Sequence, residues 1–493
     1  MNIYSWVDQN AKKIPKKTCI IYKDQKITFY ELDKTVSALG WSLREHGIKK
    51  GDRITMMLPN IPEFIISYMA IVGIGAIVVP VNPSYTSREL EHILKDSGAK
   101  GIIVENSRLE RYDKIKDTCP LDIVITTGED GNFSEWISGP SHKIIEDMDP
   151  DDVAVMIYTA GLTGYPIGAM ITHANLDHNS DLLRLCANGD DEDTVLALIP
   201  CFHTFGVTAN MLSMLRYGGT IYLMKKMDFK ELHHALTDGG VSIINGVPTL
   251  FYALLHYPDL NDIDYSRMKA TISGGSALSL EIYNGFREKF HVDIRQGYGL
   301  TEASPVCTVN NIHIKIKPES IGRTVPEVNA RVVDENSNIL GPNQRGELIF
   351  KGPNIMKGYY KRPKETSDVI KDGWLYTGDL GYMDEDGYIY ITGYKKEMII
   401  TSGFNVYCKE VEMVLNSYPG VKDSAITGEP DLMRGAIIKA YVVKDAPMFT
   451  EKTLKQFART RLASYKAPRK IVFVEEIPRD ASGKAILKDL ENM

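Results

Sequence analysis

The chain has 493 residues, more than one hydrophobic core organises, so two or more domains are expected. Hydrophobic residues make up 43% and charged residues 25%, the balance of a soluble globular protein, and a net charge of −7 argues against nucleic acid as a general partner while leaving anionic small molecules to local fields. Six cysteines (Cys19, Cys119, Cys186, Cys201, Cys307 and Cys408) are scattered without a CxxC pair, which fits a reducing, cytoplasmic setting and argues against structural zinc.

The first stretch, MNIYSWVDQNAKKIPKK, is polar and lacks an apolar signal region, so no secretory signal is expected. Thr28 followed by Glu31 reads as a capping pair that opens a helix, with apolar residues at helical spacing through Leu39 and Leu43. Gly51 and Asp52 turn the chain into a strand at 53–58. Residues 64–79 form the most apolar segment, shorter than the ~20 residues of a membrane helix, and read as a buried helix leading into a short buried strand. Residues 80–83 make a rigid loop, 88–97 a helix and 101–104 a strand. Alternating strands and helices imply parallel sheets covered by helices.

A second alternating series starts with the apolar run 153–158. Behind it stand Gly161, Gly164 and Gly168, with Thr159 and Thr163 among them. Small residues let backbone approach a ligand, and free amides and hydroxyls can surround phosphate oxygens. The GxxxxGK[ST] signature is absent, and taken alone the stretch fits an ordinary glycine-rich strand-to-helix turn equally well. Strands at 195–199, 219–223, 241–245 and 269–272 follow. Their carboxyl ends carry Pro200–Gly206, Gly246–Thr249 and Ser273–Ser276, where α/β sheets collect ligands, so one shared cleft is expected. After Arg323 short strands at 330–334 and 346–350 and a hairpin at 384–387 suggest a small antiparallel, barrel-like subdomain. Lys395-Lys396-Glu397 then leads to a last module with a helix at 409–416, a strand at 424–426 and a Lys/Arg-rich end.

Four blocks occur in order: Thr159-Ala160-Gly161-Leu162-Thr163-Gly164, Gln296-Gly297-Tyr298-Gly299-Leu300-Thr301-Glu302, Tyr376-Thr377-Gly378-Asp379 and Ser482-Gly483-Lys484. Together they resemble the adenylate-forming superfamily of acyl-CoA synthetases, coumarate-CoA ligases, luciferases and peptide-synthetase adenylation domains. The resemblance covers nearly the whole chain and is nearest to the fatty-acyl-CoA synthetases. It implies an α/β fold: a large N-terminal domain (1–394) of two parallel-type α/β subdomains plus the small β subdomain, and a small mobile α+β C-terminal domain (395–493). It also implies an AMP-forming acyl-CoA synthetase. ATP and a free carboxylic acid would give acyl-adenylate and pyrophosphate, and coenzyme A would then take the acyl group.

The resemblance assigns residues as follows. Thr159, Gly161, Thr163 and Gly164 would wrap the β- and γ-phosphates, and Thr163 and Glu302 would hold Mg²⁺. Gly274, Gly275, Ser276, Gln296, Gly297 and Tyr298 would form the adenine slot. Thr301 would reach the α-phosphate, and Asp379 would accept the ribose hydroxyls. Lys484 would bridge carboxylate and α-phosphate. Lys396 would be the hinge, and Ser402, Gly403, Phe404 and Asn405 would line the thiol tunnel in the second arrangement. His203 would gate the passage between acyl pocket and thiol, and Asn245, Gly246, Val247, Gly275 and Gly299 would shape that pocket. Singly, each has a plainer reading: Glu302 as a helix cap, Asp379 in a turn, Tyr298 in the core, His203 packed, Lys484 solvated.

The chain departs from the family at several positions. Ala160 and Leu162 replace hydroxyl residues, and Ile167 replaces a lysine. Tyr394 stands where an arginine commonly contacts ribose. Ile400, Cys408 and Leu487 replace residues that are commonly basic, proline and arginine, respectively. Fewer cations and hydroxyls therefore face the nucleotide, which bears on ATP and pyrophosphate affinity. A medium- or long-chain fatty acid is the expected substrate, with an aromatic or alicyclic acid as alternative. An enzyme that loads a carrier, and a non-catalytic binder of nucleotide or acyl-adenylate, are the other readings. The sequence does not give the oligomeric state.

Overall fold

The structure is a computed structural model that describes the chain except residues 140–141, 161–164, 258–259, 261–262, 396–397, 432, 446–448 and 479–493. Two large sheets dominate the N-terminal domain. A nine-stranded sheet runs Arg323–Thr324, Val306–Val309, Ile294–Gly299, Ala270–Ser273, Ile243–Gly246, Thr194–Ala197, Thr220–Leu223, Thr18–Tyr22, Gln25–Thr28. Its six central strands are parallel, from Ile294–Gly299 through Thr18–Tyr22. A seven-stranded sheet runs Gly358–Tyr359, Pro166–Thr172, Val153–Ala160, Ile77–Pro80, Arg53–Met57, Gly101–Glu105, Ile123–Thr127.

Val153–Ala160 does not join the nine-stranded sheet with the strands that follow it in sequence. It lies parallel to Ile77–Pro80 in the seven-stranded sheet, with Val78 opposite Val155. Its downstream partner is antiparallel: Thr159 faces Ile167 and Ala160 faces Pro166. The glycine-rich stretch therefore connects two strands of a hairpin, and the helix His173–Ala187 starts only after the second. A run apolar on both faces suits a doubly covered strand in either sheet, so its partner is set by tertiary packing.

Local signals decide several helices. Phe29–Glu45 starts at Thr28, whose side chain accepts from the Glu31 amide while Glu31 accepts from the Thr28 amide. Ser87–Ser97 repeats the device with Thr86 and Glu89 and stops at Gly98 in the left-handed region. Pro62–Gly73 is apolar all round, as a helix inside a core should be. It belongs to one continuous cluster with Ile54 and Val78 of one sheet and Val195, Ile221 and Ile243 of the other. Among the described residues no helix is long and apolar enough to cross a membrane.

The third sheet is antiparallel: Asn329–Val333, Gly346–Lys351, Trp374–Met383 and Ile370–Lys371, with Ile389–Tyr394 also on Trp374–Met383. The C-terminal domain holds the hairpin Met398–Thr401/Phe404–Tyr407 and a sheet of Val421–Asp431, Gly435–Lys444 and Lys470–Val474, with helices Cys408–Asn416 and Glu451–Arg459. Ala463 and Tyr465 of this domain sit in a large-domain apolar cluster with Val79, Tyr85, Leu90 and Tyr158. Lys395 donates its amide to Gly378 O (2.7 Å) and its ammonium to Glu347 (2.8 Å), anchoring the chain just before Lys396.

Candidate active site

The strand Ile294–Gly299 runs into the single turn Thr301–Ala303 and delivers the second block as one surface. Gly299 leaves no room for a side chain, because a Cβ there would lie 2.0 Å from Pro305 O. The Tyr298 hydroxyl donates to Asp379 Oδ2 at 2.5 Å. Burial, with the Asp379 charge beside it, pushes that phenol's pKa well up, so it stays a neutral donor. Asp379 itself is fixed on Trp374–Met383, its amide donating to Thr377 Oγ1 (3.0 Å) and Tyr394 facing it across the strand pair. Burial, and then Asp379, raise the Tyr394 phenol as well.

Glu302 is held from three sides. Its carbonyl accepts from the Met356 amide (2.9 Å), and its Oε1 accepts from the hydroxyls of Tyr359 (2.7 Å) and Thr159 (3.4 Å). Thr204 donates to Thr301 Oγ1 (3.2 Å). Tyr407, from the small domain, is also pushed up, by burial first and then by the charges of Glu302 and Asp379. The hairpin strand Phe404–Tyr407 lies against Val153–Ala160, the strand that carries Thr159. Glu302 and Thr159 offer hard oxygen donors suited to Mg²⁺ completed by phosphate oxygens and water. Among the described residues no group of three His, Cys, Asp or Glu could hold a metal unaided.

Ile167, opposite Thr159, shares its face and packs buried with Ala169 and Tyr359. The position of the family's lysine is therefore filled here by an apolar side chain. Lys225 is ion-paired with Glu105.

A cavity of about 280 Å³ is lined by the residues on either side of Thr204, the donor to Thr301. The large domain contributes His203, Phe205, Val247, Leu250 and Gly275; the small domain contributes Ser402, Gly403 and Phe404. Gly403 adopts φ +81°, and a Cβ there would meet Val247 at 2.8 Å, so the close approach needs glycine. Phe404 stacks on Tyr465 (4.6 Å between ring centroids) and meets His203 edge-on at 6.3 Å. Burial lowers His203 to about 4, and the Phe205 amide donates to its Nδ1 (3.3 Å), so the ring is neutral at pH 7.

The structure gathers Thr159, Tyr298, Thr301, Glu302 and Asp379 in one cluster and His203, Val247, Gly275, Ser402, Gly403 and Phe404 at the cavity. Other expected residues support rather than line it. Gln296 accepts from the Leu278 amide (3.0 Å) and donates to Pro318 O (2.7 Å), bracing the Gly274–Ser276 turn. Asn245 does not line the cavity; it donates to Asn210 (2.8 Å) beneath it. Gly246 packs against Leu250 and Phe251, Gly274 against Phe205 and Gly297 against Thr308. Gly161, Thr163, Gly164, Lys396 and Lys484 lie outside the described residues. Sequence reasoning missed Tyr359, Thr204, Tyr407 and Tyr465. Each acts on a partner far along the chain, and no local pattern marks such a pairing.

Comparison with known proteins gives two family matches: the AMP-binding enzyme family over residues 7–360 and the AMP-binding enzyme C-terminal domain over 410–484. A long-chain-fatty-acid–CoA ligase of Bacillus subtilis (strain 168) is 36% identical, covering 99% of this chain and 94% of its own length. A solved structure of a double mutant of o-succinylbenzoate CoA synthetase (MenE) from Bacillus subtilis, bound with its product analogue, aligns with TM-score 0.89 at 28% identity, covering 99% of this chain and 98% of its own. ATP-bound MatB from Rhodopseudomonas palustris aligns with TM-score 0.75 at 29% identity, covering 100% of this chain and 99% of its own.

Proposed function

The chain belongs to the AMP-binding enzyme family, and from that premise we propose that it is an AMP-forming acyl-CoA synthetase, an acid–thiol ligase that activates a free carboxylic acid with ATP and passes the acyl group to coenzyme A. The observation that carries this reading is the cavity walled by both domains, whose His203–Phe205 wall is tied to the block of Tyr298, Thr301 and Glu302 by the Thr204–Thr301 hydrogen bond. A nucleotide site with an adjoining cavity walled by both domains suits a two-step acyl transfer.

In the first step a carboxylate oxygen attacks the α-phosphorus, the bond to the bridging oxygen breaks, and pyrophosphate leaves. Asp379 accepts the ribose hydroxyls, and the Tyr298 ring supports the base. Thr301, steadied by Thr204, donates to the α-phosphate. Lys484 neutralises charge between carboxylate and phosphate as a compact cation on a long stem. Glu302 and Thr159, with Thr163, would hold Mg²⁺, which screens the phosphate charge when bound. In the second step the thiol sulfur attacks the acyl carbon, the bond to AMP breaks, and AMP leaves. Neutral His203 with Phe205 and Phe404 keeps the channel apolar and dry. We place the domain boundary at 394/395, with Lys396 as the pivot beyond the anchored Lys395.

The two solved relatives cover this chain almost equally, yet the product-analogue complex scores 0.89 and the ATP complex 0.75. That contrast supports reading the present arrangement as the thiol-transfer one. A medium- or long-chain fatty acid is the substrate we favour, on the 36% identical fatty-acid ligase and on the apolar walls Val247 and Leu250. An aromatic acid is the second reading, favoured by the MenE alignment. The test is pyrophosphate release across a panel of both acid classes, with and without coenzyme A. Acid-dependent release with thioester formation supports the proposal, and nucleotide binding without release from any acid refutes it.

A further inference from the structure

Lys466 is almost completely buried where the two domains meet, with 2% of its side chain exposed. A buried ammonium needs anionic partners, and this one has two from different domains. Glu410 (2.6 Å) stands on Cys408–Asn416 of its own domain; Glu89 (3.1 Å) stands on Ser87–Ser97 of the large domain. The same Glu89 oxygen accepts from the Ala463 amide (3.3 Å). Its other oxygen accepts from the Thr86 amide (2.8 Å) and hydroxyl (3.0 Å), which caps the helix. The ammonium also lies over the Tyr85 ring at 5.0 Å. The neighbouring Tyr465 is the residue stacked on Phe404, which walls the channel.

We propose that Glu89 and Lys466 form a releasable latch that holds the small domain in the thiol-transfer arrangement and thereby positions Phe404 in the channel wall; this rests on the two-step reading above. The pairing is built for repeated opening. When the small domain departs, Lys466 keeps Glu410, which travels with it. Glu89 keeps the Thr86 amide, which stays with the large domain. Neither charge is stranded, so opening forfeits the two contacts that Glu89 Oε1 accepts, from the Lys466 ammonium and the Ala463 amide, rather than leaving an orphaned ion in apolar surroundings. Glu410 then sets the balance from the opposite side: the better it satisfies Lys466 alone, the more readily the latch opens.

The full-length protein with Glu89→Gln tests this, since glutamine retains an oxygen for the Thr86 cap. The expected result is a fall of about ten- to a hundredfold in thiol transfer from supplied acyl-adenylate, the size of one lost charged hydrogen bond, with acid-dependent pyrophosphate release unchanged or faster. Glu410→Gln should do the opposite, slowing pyrophosphate release while sparing thiol transfer. Hydrogen exchange adds a readout independent of chemistry: amides of residues 460–467 should exchange faster in Glu89→Gln while those of 87–97 stay protected. Equal loss of both steps, no change in either, or loss of protection across 87–97 overturns the latch. If none of the acids makes the wild-type protein release pyrophosphate, the enzymatic reading fails, and the exchange result alone decides: faster exchange at 460–467 supports the latch and unchanged exchange overturns it.

Discussion

Replacing Tyr359 with phenylalanine removes one atom from the proposed nucleotide site and leaves the rest in place. The ring is buried against Ile167, Ala169 and Met356, and phenylalanine fills the same volume, so the fold should hold. What is lost is the 2.7 Å hydroxyl contact to Glu302 Oε1, leaving that oxygen with Thr159 at 3.4 Å. A hydrogen bond to a charged group contributes about 1.5–3 kcal/mol, and a carboxylate free to rotate loses that much of its orientation towards metal-bound phosphate. Acyl-adenylate formation should fall about ten- to a hundredfold, with a raised Mg²⁺ requirement. Thiol transfer from supplied acyl-adenylate should change little. Pyrophosphate release measured against Mg²⁺ at fixed ATP, beside calorimetric binding of Mg·ATP, reads both quantities. Wild-type metal dependence and wild-type rate in a folded Tyr359→Phe protein would refute the claim that Tyr359 orients Glu302.

Three further outcomes are expected. Lys484→Ala should nearly abolish acyl-adenylate formation but spare thiol transfer from supplied intermediate; equal loss of both in the coupled assays would remove Lys484 from its role. Ile167→Lys should lower the Michaelis constant for ATP and strengthen inhibition by pyrophosphate, since residue 167 shares a face with Thr159; unchanged nucleotide constants in a folded variant would show that the position does not reach the phosphates. His173 is fully buried and its pKa is lowered to about 4 by burial first and then by the N-terminal charge, so the unfolded chain takes up the proton first. Stability from this group is therefore complete above about pH 6.5 and lost as pH falls towards 4, by on the order of 3 kcal/mol. Melting curves between pH 7 and 5 should flatten in His173→Gln relative to wild type, and an unchanged slope would contradict the assignment.

Much of the fold was legible because its signals are local. Thr28 with Glu31 and residue 80 after an apolar run carry their meaning within a few positions, and the strand–helix alternation gave the parallel sheets. Val153–Ala160 heads the second strand–helix series in sequence yet pairs with Ile77–Pro80 of the first, because strand neighbours are chosen by packing across the whole domain. The site shows the same division. Motif residues that work through backbone shape, such as Gly299 and Gly403, stand out in sequence. Tyr359 with Glu302, Thr204 with Thr301 and Glu89 with Lys466 are 57, 97 and 377 positions apart, and only folding introduces them to each other.

A channel with walls from two domains exists only while both are in place. In the proposed cycle Ser402, Gly403 and Phe404 take their share of the wall with them when the small domain leaves. On the proposed route, coenzyme A therefore finds no finished channel until the small domain has returned, by which time pyrophosphate has gone. The order of substrates follows from the architecture rather than from any difference in affinity. Reciprocal velocities plotted against coenzyme A at several ATP concentrations then form parallel lines, the signature of a product that departs before the last substrate arrives.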